Sequence, residues 1–172
     1  MKFSTVFVAA SALVAGVTAD FATVQTDVKK IQTDVAKLYT ALKATQGTSY
    51  SEALAIDSAA KALNKDIQTA NTDASSTTVT TTQAKTLLSI LNSTYTNVSL
   101  VSKRLIAIEP AWKKLGVAGI AKTDISAIAS STKTFGATLV SKAPSTLKSS
   151  ASALASKYNK ALASALAAYA SD

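Results

Sequence analysis

Apolar residues recur along this chain at helical spacing, in five blocks. Val24, Val28, Ile31, Val35, Leu38 and Leu42 step by 4, 3, 4, 3 and 4, which draws one stripe down a helix. The opposite face is polar and sets Asp27 with Lys30 and Asp34 with Lys37 at the spacing of side-chain contact. Gly47 follows, where a helix end favours a left-handed cap. A second helix opens on a capping box, Ser49 with Glu52, and continues through Ala53, Ile56, Ala60, Leu63, Ile67 and Ala70. Residues 71–82 are rich in Ser and Thr, show no period and read as a loop. Thr80 with Gln83 makes a second capping box and starts a third stripe, Ala84, Leu87, Leu88, Leu91, Tyr95, Val98, Leu105 and Ile106.

Pro110 is expected to end or kink the third helix near Glu109, with a short piece continuing through Trp112 to Gly116. Thr123 can cap a fourth helix with its stripe at Ile125, Ile128, Thr132, Phe135, Leu139 and Val140, and Pro144 breaks it. Ser145 can cap a fifth, with Leu147, Ala151, Leu154, Tyr158, Ala161, Ala165 and Tyr169 on its stripe. No segment alternates as a half-buried strand would. The pattern predicts an all-α protein, an antiparallel five-helix bundle.

The first residues read as an address rather than as part of that bundle. Lys2 supplies positive charge, Phe3 to Val14 an apolar run, and Val17, Thr18 and Ala19 a small-residue cleavage site. The run is too short to span a bilayer, which takes about 20 apolar residues. The expectation is a secretory signal peptide over 1–19 and a single domain over 20–172, so a secreted protein that is extracellular or held in a cell wall.

Composition then removes most chemistry. The chain has no cysteine and no histidine. Thiol nucleophiles, disulfides and thiolate metal sites are excluded, and with them the commonest general base and metal ligand. No phosphate loop or dinucleotide fingerprint occurs. A carboxylate pair is the one catalytic device left. Asp27, Asp34, Asp57 and Asp66 lie off the apolar stripes, and Glu52 and Asp124 fall in expected first turns, where they favour the helix dipole. The reading is therefore not an enzyme, without cofactor or metal. The formal charge is +8. All the basic residues but Arg104 are lysines scattered over every segment, which reads as a solvated face and not as a nucleic-acid site. The same diffuse positive field favours anionic amphiphiles.

Ala, Ser and Thr together make up 79 of the 172 residues, so the helices must approach closely or enclose a cavity. The stripe aromatics Tyr95, Phe135, Tyr158 and Tyr169 suit either a packed core or the wall of an apolar site. As candidate lining we take Leu88, Leu91, Tyr95, Phe135 and Leu139, the bulkiest stripe residues of the two middle helices. Trp112 either covers one end of the bundle or anchors in an acyl layer. Asn92 and Asn97 head two N-glycosylation sequons.

Three passages carry a family resemblance. One is the heptad helix Val24 to Leu42 with the Tyr- and Ser-rich start of the next helix. Another is Leu105 to Gly116, LIAIEPAWKKLG. The third is Lys142, Ala143 and Pro144 followed by a last helix that ends at Tyr169. In this order the chain resembles the fungal hydrophobic surface-binding protein A family, which includes antigenic cell-wall galactomannoproteins. The resemblance implies a secreted, often mannosylated helical domain that adsorbs to hydrophobic solids, recruits secreted esterases to them and binds fatty acids between its helices. Two readings follow. The first is a module that holds a fatty acid or other amphiphile. The second is a purely structural, adhesive wall mannoprotein with a solid core and no specific lipid.

Overall fold

The computed structural model describes residues 19–172. The expected leader over 1–19 lies outside the described residues, save Ala19. The chain forms α1 (Phe21–Ala44), α2 (Tyr50–Ser76), α3 (Thr81–Leu115), α4 (Ala118–Lys142) and α5 (Lys148–Ala168), with one 3-10 turn at Ser145–Leu147 and no strand among the described residues.

Local chemistry sets most of the boundaries. The Asp20 carboxylate accepts the Thr23 N–H at 2.8 Å and starts α1. Thr80 and Gln83 form a reciprocal capping box at the start of α3. At Ser49 only one arm of the expected box forms, because the Glu52 carboxylate accepts the Thr45 hydroxyl at 2.5 Å instead. Helix α2 outruns its expected end. Its Thr- and Ser-rich tail stays helical to Ser76, since Ala74 is still buried in the core. Helix α3 runs through Pro110 to Leu115. Losing a backbone donor there costs roughly 3 kcal/mol. Pro110 and Ile106, whose carbonyl is freed, are both solvent-exposed, while Ile108 and Trp112 on the inner face are 2% and 3% exposed and hold the last turns in place.

The fourth helix begins before Thr123. Gly116 adopts a left-handed conformation (φ 80°), the Val117 N–H reaches back to the Trp112 carbonyl at 3.0 Å, and Val117, Ala118 and Ala121 are buried at once. Thr123 instead donates to the Gly119 carbonyl inside the helix. Ser145 starts the 3-10 turn, and no side-chain bond caps α5.

Short connections reverse the chain after every helix, as the sequence predicts. Neighbours in space are not always neighbours in sequence. Helix α1 packs on α2 and α3, α2 on α4, α4 on α5, and α5 on α3, so the five close into a ring. An odd ring cannot alternate. The bonds Gln68 to Ser131 and Asn71 to Thr138 show α2 and α4 running the same way, and Tyr158 to Leu91 with Tyr169 to Leu105 show the same for α5 and α3. The predicted stripes of α1 and α2 are buried in full.

Three polar clamps tie the ring. The Tyr158 and Tyr169 hydroxyls donate to the Leu91 and Leu105 carbonyls at 2.6 and 2.8 Å, and burial raises the pKa of both. Arg104, the one arginine, donates from α3 to the Leu42 and Thr45 carbonyls at 2.9 and 2.5 Å and so caps the end of α1. The turn beyond is equally constrained. Gly47 has φ 78°, and a Cβ there would meet Ile108 Cγ1 at 2.7 Å and Ala111 Cβ at 2.9 Å. Gly47→Ala should therefore cost about 1–3 kcal/mol through backbone strain and overpacking together. Urea denaturation measures it, and an unchanged midpoint would show that the turn is not held as described.

Candidate ligand cavity

Each helix of the ring turns its stripe inward, and the stripes do not fill the centre. An apolar cavity of about 90 Å³ lies there. Its wall takes Ile31, Leu38 and Leu42 from α1, Ile56, Leu63 and Ile67 from α2, Val98, Val101 and Leu105 from α3, Ile125, Ile128 and Phe135 from α4, and Leu162 from α5. Alanines at Ala53, Ala60 and Ala121 leave room where a larger side chain would close it. Two smaller cavities, of about 30 and 50 Å³, lie toward the start of α3 and the end of α4.

The five sequence-chosen residues divide. Leu91 borders all three cavities, and Phe135 borders two of them together with Thr132 and Tyr158, so Leu91 and Phe135 belong to the partition between the main cavity and its neighbours. Leu88 and Leu139 line both smaller cavities. Tyr95 lines none of these; its ring packs at 5.5 Å and 60° on Tyr158, with the Lys157 ammonium 5.9 Å from its centre. Trp112 is corrected more sharply. The expected surface anchor points inward, is 3% exposed and lines the main cavity, and its indole N–H has no hydrogen-bond partner. Asn92 is exposed on α3 and Asn97 half-buried, while Thr94 of the first sequon is buried and bonded to the Ile90 carbonyl.

Two residues the sequence reading set aside also reach the cavity. Asp57 lies off the predicted apolar stripes, and Asp124 falls in an expected first turn. Lys61 does hold Asp57, at 2.8 Å, but the Asp57 side chain is only 12% exposed. Because α4 starts at Ala118, Asp124 sits in its second turn, one turn after Ala121, and is buried. Both are part of the cavity lining and are its charged members. Burial pushes the Asp124 carboxyl up to about 6; the negative charge and hydrogen bond of Asp57 add to the rise, and Lys61 opposes it. At the other end of the bundle, burial raises Asp27 to about 6, helped by Asp73 and Asp66 and opposed by Lys30. The signal for Asp124 was its spacing from Ala121 and Ile128, hidden by placing the cap at Thr123.

An all-α ring around an apolar hollow defines the class: a five-helix bundle with an apolar cavity on its axis. No group of residues that could hold a metal occurs among the described residues, and no helix there is long and apolar enough to cross a membrane. Residues 21–141 match the family described as hydrophobic surface binding protein A, and the chain belongs to that family. A search among curated proteins finds no match. Among solved structures the chain is similar to Afmp4p in complex with palmitic acid, with 24% identity, 87% of this chain and 99% of that one covered, and a TM-score of 0.83. It is also similar to ligand binding domain 2 of the Penicillium marneffei MP1 protein complexed with multiple arachidonic acids (15% identity, 91% and 99% covered, TM-score 0.82). Domain 1 of that protein, complexed with arachidonic acids, matches at 17% identity with 84% and 94% covered and a TM-score of 0.78.

The Asp124 shift has a consequence for stability. Its folded pKa of about 6 lies above the ordinary 3.8, so between these values the folded chain keeps a proton that the unfolded chain releases. That contribution is fully present below about 3.8 and is lost as the pH rises through about 6. Asp124→Asn cannot ionise, so it should melt higher than the parent at pH 7.5 and lose that advantage at pH 4. Thermal melts at the two pH values check this, and an equal difference at both would contradict it.

Proposed function

We propose that this chain is a secreted, non-enzymatic domain that takes long-chain fatty acids or similar amphiphiles between its helices. In this reading residues 1–19 are a leader that is removed, and 20–172 act at the cell surface or wall. The observation that carries it is the central apolar cavity with Leu91 and Phe135 as its inner partition. The fold shared with proteins solved with palmitic and arachidonic acids supports it.

Energetics agree in sign and set a condition. Burying a methylene is worth roughly 0.8 kcal/mol, so about a dozen give roughly 10 kcal/mol before ordering costs. The α2 lining runs from Ala53 to Ile67, about 21 Å along the helix axis, which is comparable with an extended palmitoyl chain. A hollow of about 90 Å³ is smaller than ligand pockets of roughly 300–1,000 Å³. Entry therefore requires Leu91 and Phe135 to swing aside, joining the cavities, or helices to part. Along α4 the stripe residues Ile128, Thr132 and Leu139 are only half-buried, which leaves room there for side-chain rearrangement.

The same loosening exposes the stripes to an apolar solid, so adsorption to hydrophobic surfaces and capture of a chain share one cause. Secreted esterases are the partner class that such a surface layer would recruit. Exposed Asn92 is the better placed of the two glycan acceptors. The small volume of the hollow favours the second reading, an adhesive wall protein with a nearly solid core. Phe135→Ala separates them. In a solid core it should cost about 3–5 kcal/mol. In a movable partition it should cost less and shift binding toward longer chains. Stability and calorimetric binding of C14–C20 acids on delipidated protein measure both. A full core-sized loss, with no uptake of any acid by the parent, would leave the adhesive reading.

A further inference from the structure

The main cavity is apolar throughout most of its wall, and its charge is confined to one edge. Asp57 and Asp124 meet there across the seam between α2 and α4, at the end of the bundle where both helices begin. Leu54, one turn before Asp57, both lines the cavity and is 40% exposed, so the hollow reaches solvent at this edge. Lys61, one turn after Asp57, keeps an exposed ammonium over its carboxylate. The Trp112 indole, in the last turn of α3 at the same end, contributes a buried N–H that no group among the described residues accepts. Buried donors rarely go unpaired, and this one belongs to the lining of the cavity.

We propose that this edge is the head-group end of the cavity, where a ligand carboxyl lodges among Asp57, Lys61, Asp124 and Trp112 and shares a proton with the two aspartates, so that fatty acids bind more tightly in acid than at neutral pH. The proposal rests on the fatty-acid reading of the cavity. An ionised head brought beside two aspartates places a third negative charge where little water can screen it, and Lys61 is already committed to Asp57. A proton on Asp124 turns that repulsion into a donated hydrogen bond. Burial and the neighbouring Asp57 already hold this carboxyl at about 6, so the proton is available in mild acid. The charged groups that act on Asp124 are Asp57 and Lys61, both on α2. Of the other basic residues at this end, Lys113 on α3 pairs with Asp172 and Glu109, and Lys122 on α4 donates to the Ala170 and Asp172 carbonyls. The Trp112 N–H supplies a second donor to a carboxyl oxygen. An alcohol head gains these bonds with no charge to accommodate.

The test compares palmitic acid with hexadecanol, each below its aggregation concentration, at pH 5 and pH 7.5, on the delipidated parent, Asp124→Asn and Trp112→Phe. Palmitic acid should bind the parent about tenfold more tightly at pH 5, a difference of about 1.4 kcal/mol, while hexadecanol should barely change. Asp124→Asn should flatten the palmitic acid profile by strengthening binding at pH 7.5. Trp112→Phe should weaken both ligands at both pH values. Carbon-13 resonances of carboxyl-labelled palmitic acid in the complex give a readout independent of affinity: the bound carboxyl should titrate differently in the parent and in Asp124→Asn. Tight binding with one affinity at both pH values, or a bound carboxyl whose titration ignores Asp124→Asn, overturns the head-group assignment and leaves the cavity reading standing. No binding of either ligand at either pH overturns the cavity reading, and the assignment with it.

Discussion

Closure of five helices into a ring is the constraint from which the rest follows. Each helix has two neighbours and one inward face, and the inward faces must fill a centre that a four-helix bundle would not possess. The stripes that meet there alternate branched residues such as Ile31, Leu63 and Val101 with alanines such as Ala53, Ala60 and Ala121. Dense packing is the rule in protein interiors, and here the small residues let helices approach at their seams while leaving the axis unfilled. Without a disulfide, the ring is held by those seams and by a few directional bonds. The Tyr158, Tyr169 and Arg104 clamps all end on backbone carbonyls, so they fix the height of one helix against another.

That division of labour separates stability from function in space. The α1 and α2 stripes are fully buried. Helix α4 buries Ala118, Ala121, Asp124 and Ile125 near its start and Phe135 further along, with half-buried positions between and beyond. A wall that is firmly seated at its start and half-buried along its length suits a bundle that must admit a guest. The firmly seated end is also where Asp124 and Asp57 sit. Burial and the neighbouring Asp57 raise the Asp124 carboxyl to about 6, so its placement costs stability at neutral pH.

Helix existence was legible because period 3.6 patterns survive without any knowledge of partners. Val24 to Leu42 and Ala53 to Ala70 were read correctly to the residue, and both stripes are buried in full. Boundaries failed where tertiary burial outweighed local signals. Pro110 and the tail of α2 remained helical because Ile108, Trp112 and Ala74 had a core to enter. The ring order was not legible, because nothing in a single stripe says which helix it will face. For that reason the lining was chosen by size. Leu91 and Phe135 border the main cavity, whereas Tyr95 lines none of the three and packs on Tyr158. For Trp112 the two readings, covering one end of the bundle or anchoring in an acyl layer, separate only once the helix is known to continue through Pro110 and bury the indole at that end. The charged edge was missed because Thr123 offered a plausible cap, which moved Asp124 from an inner face to a helix end.

The central claim is that the interior of the ring, and not its surface, receives the apolar chain. Intermolecular nuclear Overhauser effects between carbon-13-labelled palmitic acid and the protein test this most directly. The account predicts contacts from the acyl methylenes to Leu38, Val101, Leu91 and Phe135, residues buried in the closed ring. Contacts confined to the exposed apolar residues Tyr50 and Ile106, neither of which lines the cavity, would contradict it.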